Sequence, residues 1–362
     1  MLTSVPCYLM RGGTSKGLFF LKEDLPEDSA ARDALLLKLM GSPDERQIDG
    51  LGGAHPLTSK VAIVSRSTRE NTDVDYLFLQ VTVDKAQVSD AQNCGNVLAG
   101  VGPFAIEKGL VDVDPSQNHK DVRIHMVNTG SDAVSRVQLS NGKVNYQGEA
   151  AIDGVPLTSA PVLINFLDIA GSSCGALFPT GNAVDTILET EVTCIDNGMP
   201  VVLLNAQDFG LTGKESPSEL EGNTALCERI ESIRLQAGQL MNLGDVAKKT
   251  VPKMSLVSKP SAGGLINTRT FIPHRVHDAI GVLGSVSVAT ACVLQGTVAS
   301  KLLQQSFNDG SIVVDVEHPT GQFSVEMDIS NSASLSGFVV HRAALLRTAR
   351  LLMRGEAFAD CG

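Results

Sequence analysis

At 362 residues, with 43% hydrophobic and 19% charged residues, the chain is longer than one hydrophobic core usually organises and has enough apolar material to fold throughout. A net charge of −11 argues against any general attraction for nucleic acid or an anionic membrane, and the absence of tryptophan with only 4% aromatics weighs against base-stacking platforms and aromatic cation cages. Seven cysteines, scattered and without a CxxC pair, indicate neither a disulfide framework nor a zinc site and read as reduced thiols.

No apolar run approaches the roughly 20 residues that span a bilayer, and MLTSVPCYLMRGG lacks the basic start and apolar stretch of a signal peptide, so a cytoplasmic location is expected. Along the first half, Gly17 to Leu21, Lys60 to Ser65, Tyr76 to Val83, Val122 to Val127 and Pro161 to Phe166 read as strands. A helix is expected from Ser29 to Met40, capped by Asp28, stopped at Gly41 and turned inward through Leu35, Leu36 and Leu39. The segment Asn96 to Lys108 is apolar nearly all round, as a buried helix would be, with a kink expected at Pro103.

The second half repeats the scheme. Strands are expected at Val201 to Asn205, Lys253 to Val257, Leu265 to Ile272, Ile312 to Val316 and Phe323 to Met327, a covering helix at Thr224 to Leu240, and a second apolar helix at His274 to Val298. The expected fold class is therefore α+β: two similar β-rich domains, 1–185 and 186–362, each around one buried helix, with the active site in the cleft between them. The last strand is allowed to return to the first domain.

Several site chemistries fail at the sequence level. Gly12-Gly13-Thr14-Ser15-Lys16-Gly17 is not a P-loop, because the order is Ser-Lys-Gly and the upstream glycine is missing. No GxGxxG opens a helix after a strand, so no nicotinamide or flavin is expected. His274 and His277 have metal-pair spacing without a surrounding ligand motif, and neither a metal nor any other cofactor is expected.

The strongest chemical signal is Gln92-Asn93-Cys94-Gly95-Asn96, where an exposed turn enters the apolar helix. A thiol at a helix N-terminus faces unpaired N–H groups and the positive end of the dipole, which favour the thiolate. The same N–H groups can hold a carboxylate, Gly95 permits close approach, and Asn93 and Asn96 add donors. The alternative is an inert buried cysteine beside capping asparagines. In Thr58-Ser59-Lys60-Val61 a lysine opens an apolar strand after two hydroxyls; burial there would disfavour the ammonium, and a neutral amine can act as general base, although a solvated lysine is the common case. Arg11, Thr14 and Ser15 flank a glycine turn that suits a carboxylate cradle or simply joins two strands. Arg269 is a candidate carboxylate clamp or an ordinary cross-strand partner.

The blocks MRGGTSKG (10–17), QIDGLGGAHPLTSKVAI (47–63), QNCGNVLAGVGPFA (92–105), EVTCIDNGMPVVLL (191–204) and MNLGDV (241–246) together resemble the PrpF-like isomerase family, nearest its 4-oxalomesaconate tautomerase branch. The resemblance implies the diaminopimelate-epimerase fold and a cofactor-independent proton shift on a small polycarboxylate in aromatic-acid (gallate or protocatechuate) catabolism. By similarity Lys60 is the general acid/base and Cys94 the thiol at the opposite face of the substrate. Thr14, Ser15 and the Asn93 to Asn96 turn would then line the carboxylate pocket. From the residues themselves, apart from the resemblance, Arg11, Ser59 and Arg269 are further candidate binding residues. No second cysteine sits in a comparable glycine-rich helix entry, which disfavours a two-thiol racemase. Isomerases of methylated aconitate or itaconate, and a non-catalytic accessory role beside an aconitase-like enzyme, stay open as alternatives. A polycarboxylate is the expected small-molecule partner, and a homodimer is left open.

Overall fold

The computed structural model describes residues 2–90, 93–167, 169–247, 249–330 and 337–360. Gln92 of the thiol motif and Cys361 lie outside the described residues. The architecture is mixed α+β and rich in sheet, and the chain divides into two compact units, 1–167 with 346–362, and 168–345. The division falls earlier than the 185/186 boundary expected from the sequence, because Gly171 N–H already donates to Asp196 O and Asp185 to Ile187 pair with Thr190 to Val192.

The first unit contains β1 (Leu2–Gly12), β2 (Ser15–Leu21), β3 (Lys60–Arg66), β4 (Val74–Val81), β5 (Val88–Ser89), β6 (His119–Met126), β7 (Ser131–Ser140), β8 (Lys143–Val144) and β9 (Pro161–Phe166). Its helices are α1 (Ser29–Met40) and α2 (Gly95–Glu107). Pairing runs β1–β2 antiparallel, β2–β3 parallel, β3–β4 antiparallel, β4–β6 parallel, then β6–β7 and β7–β9 antiparallel.

Side chains alternate across a strand, so this sheet has two apolar faces, and each receives one helix. Leu18 and Phe20 of β2, Val61 and Ile63 of β3 and Leu79 of β4 pack with Leu35, Leu36, Leu39 and Met40 of α1. α1 has the ends its sequence announces: Asp28 accepts from Ala31 N at 2.8 Å, and Gly41 turns left-handed at φ 78° to close the last turn. The opposite face meets α2, which is buried from Val97 to Ile106. There Phe104 packs edge-on to Tyr8 with centroids 5.3 Å apart and lies 5.7 Å from Phe19, whose ring fills the space beside Gly100. The kink expected at Pro103 does not end the helix: α2 runs through it as one element, giving up only the backbone bond a proline cannot donate.

The second unit holds β10 (Asp185–Ile187), β11 (Thr190–Asp196), β12 (Pro200–Asn205), β13 (Lys253–Ser258), β14 (Ile266–Phe271), β15 (Gly310–His318) and β16 (Gly321–Ser330), with α3 (Pro217–Gly222), α4 (Thr224–Leu240), α5 (Val282–Val293) and α6 (Val298–Leu303). The last strand, β17 (Val339–Asp360), pairs with β16 through its first residues and with β1 through its later ones. From β11 to β17 the order is antiparallel, parallel, antiparallel, parallel, antiparallel, antiparallel. That is the order from β1 to β9, with α4 standing where α1 stands and α5 where α2 stands. α4 buries Leu226, Ile230, Ile233 and Ala237 against Val202, Leu204, Met254 and Leu256.

The long apolar helix expected over His274 to Val298 is corrected to α5 alone. Its first third turns back along β14: Phe271 bridges Val276 and His277 N–H donates to Thr270 O, so those backbone groups are committed before Gly281 caps the helix. His277 Nδ1 accepts from Ala279 N at 2.9 Å, a local turn role. Among the described residues no helix is long and apolar enough to cross a membrane.

α2 is held to its sheet by Phe104, fully buried between two other rings. Phe104→Ala is expected to lower unfolding free energy by about 3–5 kcal/mol, measurable as a reduced urea midpoint with unchanged slope.

Candidate active site

Lys60 is the first residue of β3, 6% exposed, and its position follows from register. It lies opposite Gly17 on β2 and opposite Gln80 on β4. A Cβ on Gly17 would run into the Lys60 carbonyl, so the glycine is what lets the two strands close at this point. The Lys60 amine donates to Gln80 Oε1 at 2.8 Å and sits 5.1 Å from the centre of the Phe78 ring. Tyr76, Phe78 and Gln80 share one face of β4 by alternation. That is the face α2 covers, since the Tyr76 hydroxyl donates to Cys94 O at 3.4 Å. The buried amine and the start of α2 are therefore on the same side of the sheet.

Cys94 is the N-cap of α2, half-buried, with extended backbone (φ −131°, ψ 100°) and no capping hydrogen bond from its side chain. Its N–H donates to Asn93 Oδ1 at 2.8 Å, and its carbonyl receives Leu98 N–H at 3.0 Å. Asn93 thus turns its acceptor back on the cap, and among the described residues the Cys94 side chain makes no hydrogen bond to the first turn. A helix start in this state suits a carboxylate or a developing oxyanion.

The turn between β1 and β2 lies against this helix start. Side chains at Gly12 and Gly13 would collide with Asn96 and Val97, and Gly13 has φ 51°, so glycine is required here for both space and conformation. Asn96 Nδ2 donates to Thr14 Oγ1 at 3.1 Å. Ser15 Oγ, in a residue 1% exposed, and Asn96 Oδ1 are buried and have no hydrogen-bond partner among the described residues. Thr14, Ser15, Asn93, Cys94, Gly95 and Asn96 form one polar group at the mouth of α2.

Three other residues singled out from the sequence have their donors committed. Arg11 reaches Gly13 O at 2.8 Å, Thr348 O at 3.0 Å, Thr348 Oγ1 at 2.9 Å and Ser159 Oγ at 3.3 Å, so it pins the glycine turn to β17. Burial and the neighbouring Arg350 hold its pKa below the ordinary arginine value. Ser59, fully buried, donates to Gln47 Oε1 at 2.7 Å, which also receives Ala54 N–H at 2.8 Å; the serine organises the 47–54 loop. Arg269 belongs to the second unit, where its Nε donates to Glu215 O at 2.7 Å and its Nη1 to Asn267 Oδ1 and Thr268 O, each at 2.9 Å. Sequence reading missed Gln80, Phe78 and Tyr76. The signal was the alternation in Tyr76 to Val83, but it points at Lys60 only once the β3–β4 register is known.

A hollow of about 400 Å³ opens beside Gln80, lined among others by Pro56, Thr82, Glu45 and Asp84. Its charged lining is acidic, which opposes an anionic ligand, and the chemistry at Lys60 and Cys94 outweighs its size as the marker of the site.

The chain matches the PrpF protein family over residues 2–360 and belongs to it; it is an isomerase. It is 56% identical over 357 residues to the (4E)-oxalomesaconate Δ-isomerase of Novosphingobium sp. (strain KA1), covering 99% of this chain and 98% of that protein. It is 55% identical over 353 residues to the 4-oxalomesaconate tautomerase of Pseudomonas putida, covering 98% and 95%. Among solved structures, a methylitaconate-delta-isomerase that is 34% identical aligns with a TM-score of 0.86 over 99% of this chain and 96% of that one.

Three other thiols are held in the protonated form by burial. Burial, with Asp196 beside one and Asp185 beside the other, pushes Cys174 and Cys194 each up to about 12, and burial alone raises Cys292. A raised pKa means almost no thiolate at about pH 8. Limited iodoacetamide treatment at that pH should alkylate Cys94 first and leave these three unmodified, with bound polycarboxylate slowing the reaction. Peptide mass spectrometry reads the order, and early labelling of Cys194 or Cys292 would misplace the site.

Proposed function

We propose that the chain interconverts 4-oxalomesaconate isomers by a 1,3-proton shift that needs no resident cofactor, with Lys60 as the base. The observation that carries the residue assignment is the buried amine on the sheet face where the uncovered start of α2 lies. The level of identity to relatives named for oxalomesaconate favours that substrate over a methylated aconitate or itaconate. The finer fold reading is that each unit is a diaminopimelate-epimerase-like domain around its buried helix, α2 or α5. Its support is the repeated pairing order and the burial of both helices.

The chemistry balances without an external reagent. A C–H next to an unsaturated keto acid is acidic because its dienolate spreads charge into carbonyl and carboxylate oxygens. The Lys60 amine takes that proton, the double bond migrates, and the ammonium returns a proton to the other allylic carbon. First-turn N–H groups of α2 stabilise the oxygens on which charge develops. Ser15, a buried hydroxyl without a partner among the described residues, finds an acceptor in a substrate carboxylate. Thr14 and Asn96 hold that wall of the pocket in shape.

Lys60→Met is expected to fold and to lose at least about a hundredfold in kcat. The change in ultraviolet absorption of purified protein with 4-oxalomesaconate, run beside 2-methyl-cis-aconitate, tests base and substrate together. Turnover of the methylated compound alone would move the substrate assignment, and near-normal turnover by the variant would remove Lys60 from the chemistry.

Cys94→Ser separates a proton carrier from a hydrogen-bond donor. A serine hydroxyl is too weak an acid to carry a proton near neutrality but donates a hydrogen bond well. A loss of no more than about tenfold is expected, because the amine alone can serve both carbons on one face. A loss as large as that of Lys60→Met would make the thiol an obligatory carrier.

A further inference from the structure

The proposed mechanism leaves unused the side chain that holds the Lys60 amine. Gln80 lies directly across from Lys60 on β4, and the two ends of its amide are distinguished by their neighbours. Nε2 lies 3.1 Å from Pro56 O, 3.0 Å from Ser59 O and 3.2 Å from Val81 O. Carbonyl oxygens only accept, so the NH2 group belongs there; in the reverse orientation an oxygen would face three oxygens. Oε1 is left for Lys60 Nζ at 2.8 Å. The anchoring carbonyls belong to the turn entering β3 and to β4 itself, so the acceptor is rigid relative to the amine it holds.

Several groups surround the pair. On β2, the Lys16 amine approaches Gly53; beside Gln80, Glu45 and Asp84 line the acidic hollow; on β4, the Phe78 ring faces the amine. Among the described residues, the hydrogen bond of the amine goes to the neutral amide and not to either carboxylate. An amide oxygen accepts from an ammonium and, more weakly, from a neutral amine, so it aims the nitrogen through both halves of a proton transfer. A carboxylate in the same place would stabilise the ammonium and oppose the first half.

We propose that Gln80 is a positioning residue for the isomerisation, aiming the Lys60 amine through an uncharged acceptor that leaves it able to give up and retake a proton. This rests on the reading of Lys60 as the base. Gln80→Met keeps the length of the side chain and removes the acceptor; it should lower kcat by about tenfold or more with KM within about twofold. Gln80→Glu should move the acid limb of the kcat/KM profile up by about one pH unit or more, with activity returning on the alkaline side, which Gln80→Met should not show. In the wild-type chain carrying 15N-glutamine, one side-chain amide should titrate together with that acid limb and lose the response in Lys60→Met. Wild-type kcat in Gln80→Met or an unmoved limb in Gln80→Glu overturns the proposal; should these variants not fold, the absence of any co-titrating glutamine amide does so. An active Lys60→Met would instead sink the assignment of the base, whereas an inactive one beside unaltered Gln80 variants sinks only the role given to Gln80.

Discussion

A lysine 6% exposed has lost nearly all its water, and the interior must supply what the water gave. In this chain the supply comes from one pairing, β3 against β4, with Lys60 opposite Gln80. A slip of one residue would send the amine to the other face of the sheet, among the leucines of α1. The β2–β3 register places Gly17 beside Lys60, and on β4 Phe78 lies beneath the amine with Tyr76 within reach of the start of α2. The buried helix, the glycine turn and the lysine are thus in order only while these pairings hold.

The site has the economy of an anion pocket made from backbone. Gly12 and Gly13 let the turn approach the helix where side chains would stand, and a helix start that its N-cap side chain does not cap offers donors that need no charged side chain. This fits the anionic substrate proposed for a chain of net charge −11, because local donors act at short range while the overall field is repulsive. Arg11 serves the same end indirectly, by fastening the turn.

What could be read in advance divides along a physical line. Elements whose ends are set by local chemistry were legible: α1 between Asp28 and Gly41, and α4 from Thr224 to Leu240. Elements decided by partners distant in sequence were not. Residues 274–281 look helical by composition, but Val276 and His277 are bonded back to β14. The candidate site divides in the same way. Cys94 and Lys60 stand out from their immediate neighbours, whereas the bonds of Arg11 to Thr348 and of Ser59 to Gln47 depend on where other segments arrive.

The two units repeat one order of strands yet differ at the helix starts: Cys94 caps α2, and Gly281 caps α5. With a thiol at only one of the two helix starts, the repeat is unsymmetrical in its chemistry. Under the role proposed for Lys60, a lone amine would lift and set down hydrogen from one side. Deuterium placed on the donor carbon would then ride through the enzyme into the product as an inherited label, diluted by solvent only as fast as the ammonium can trade it away.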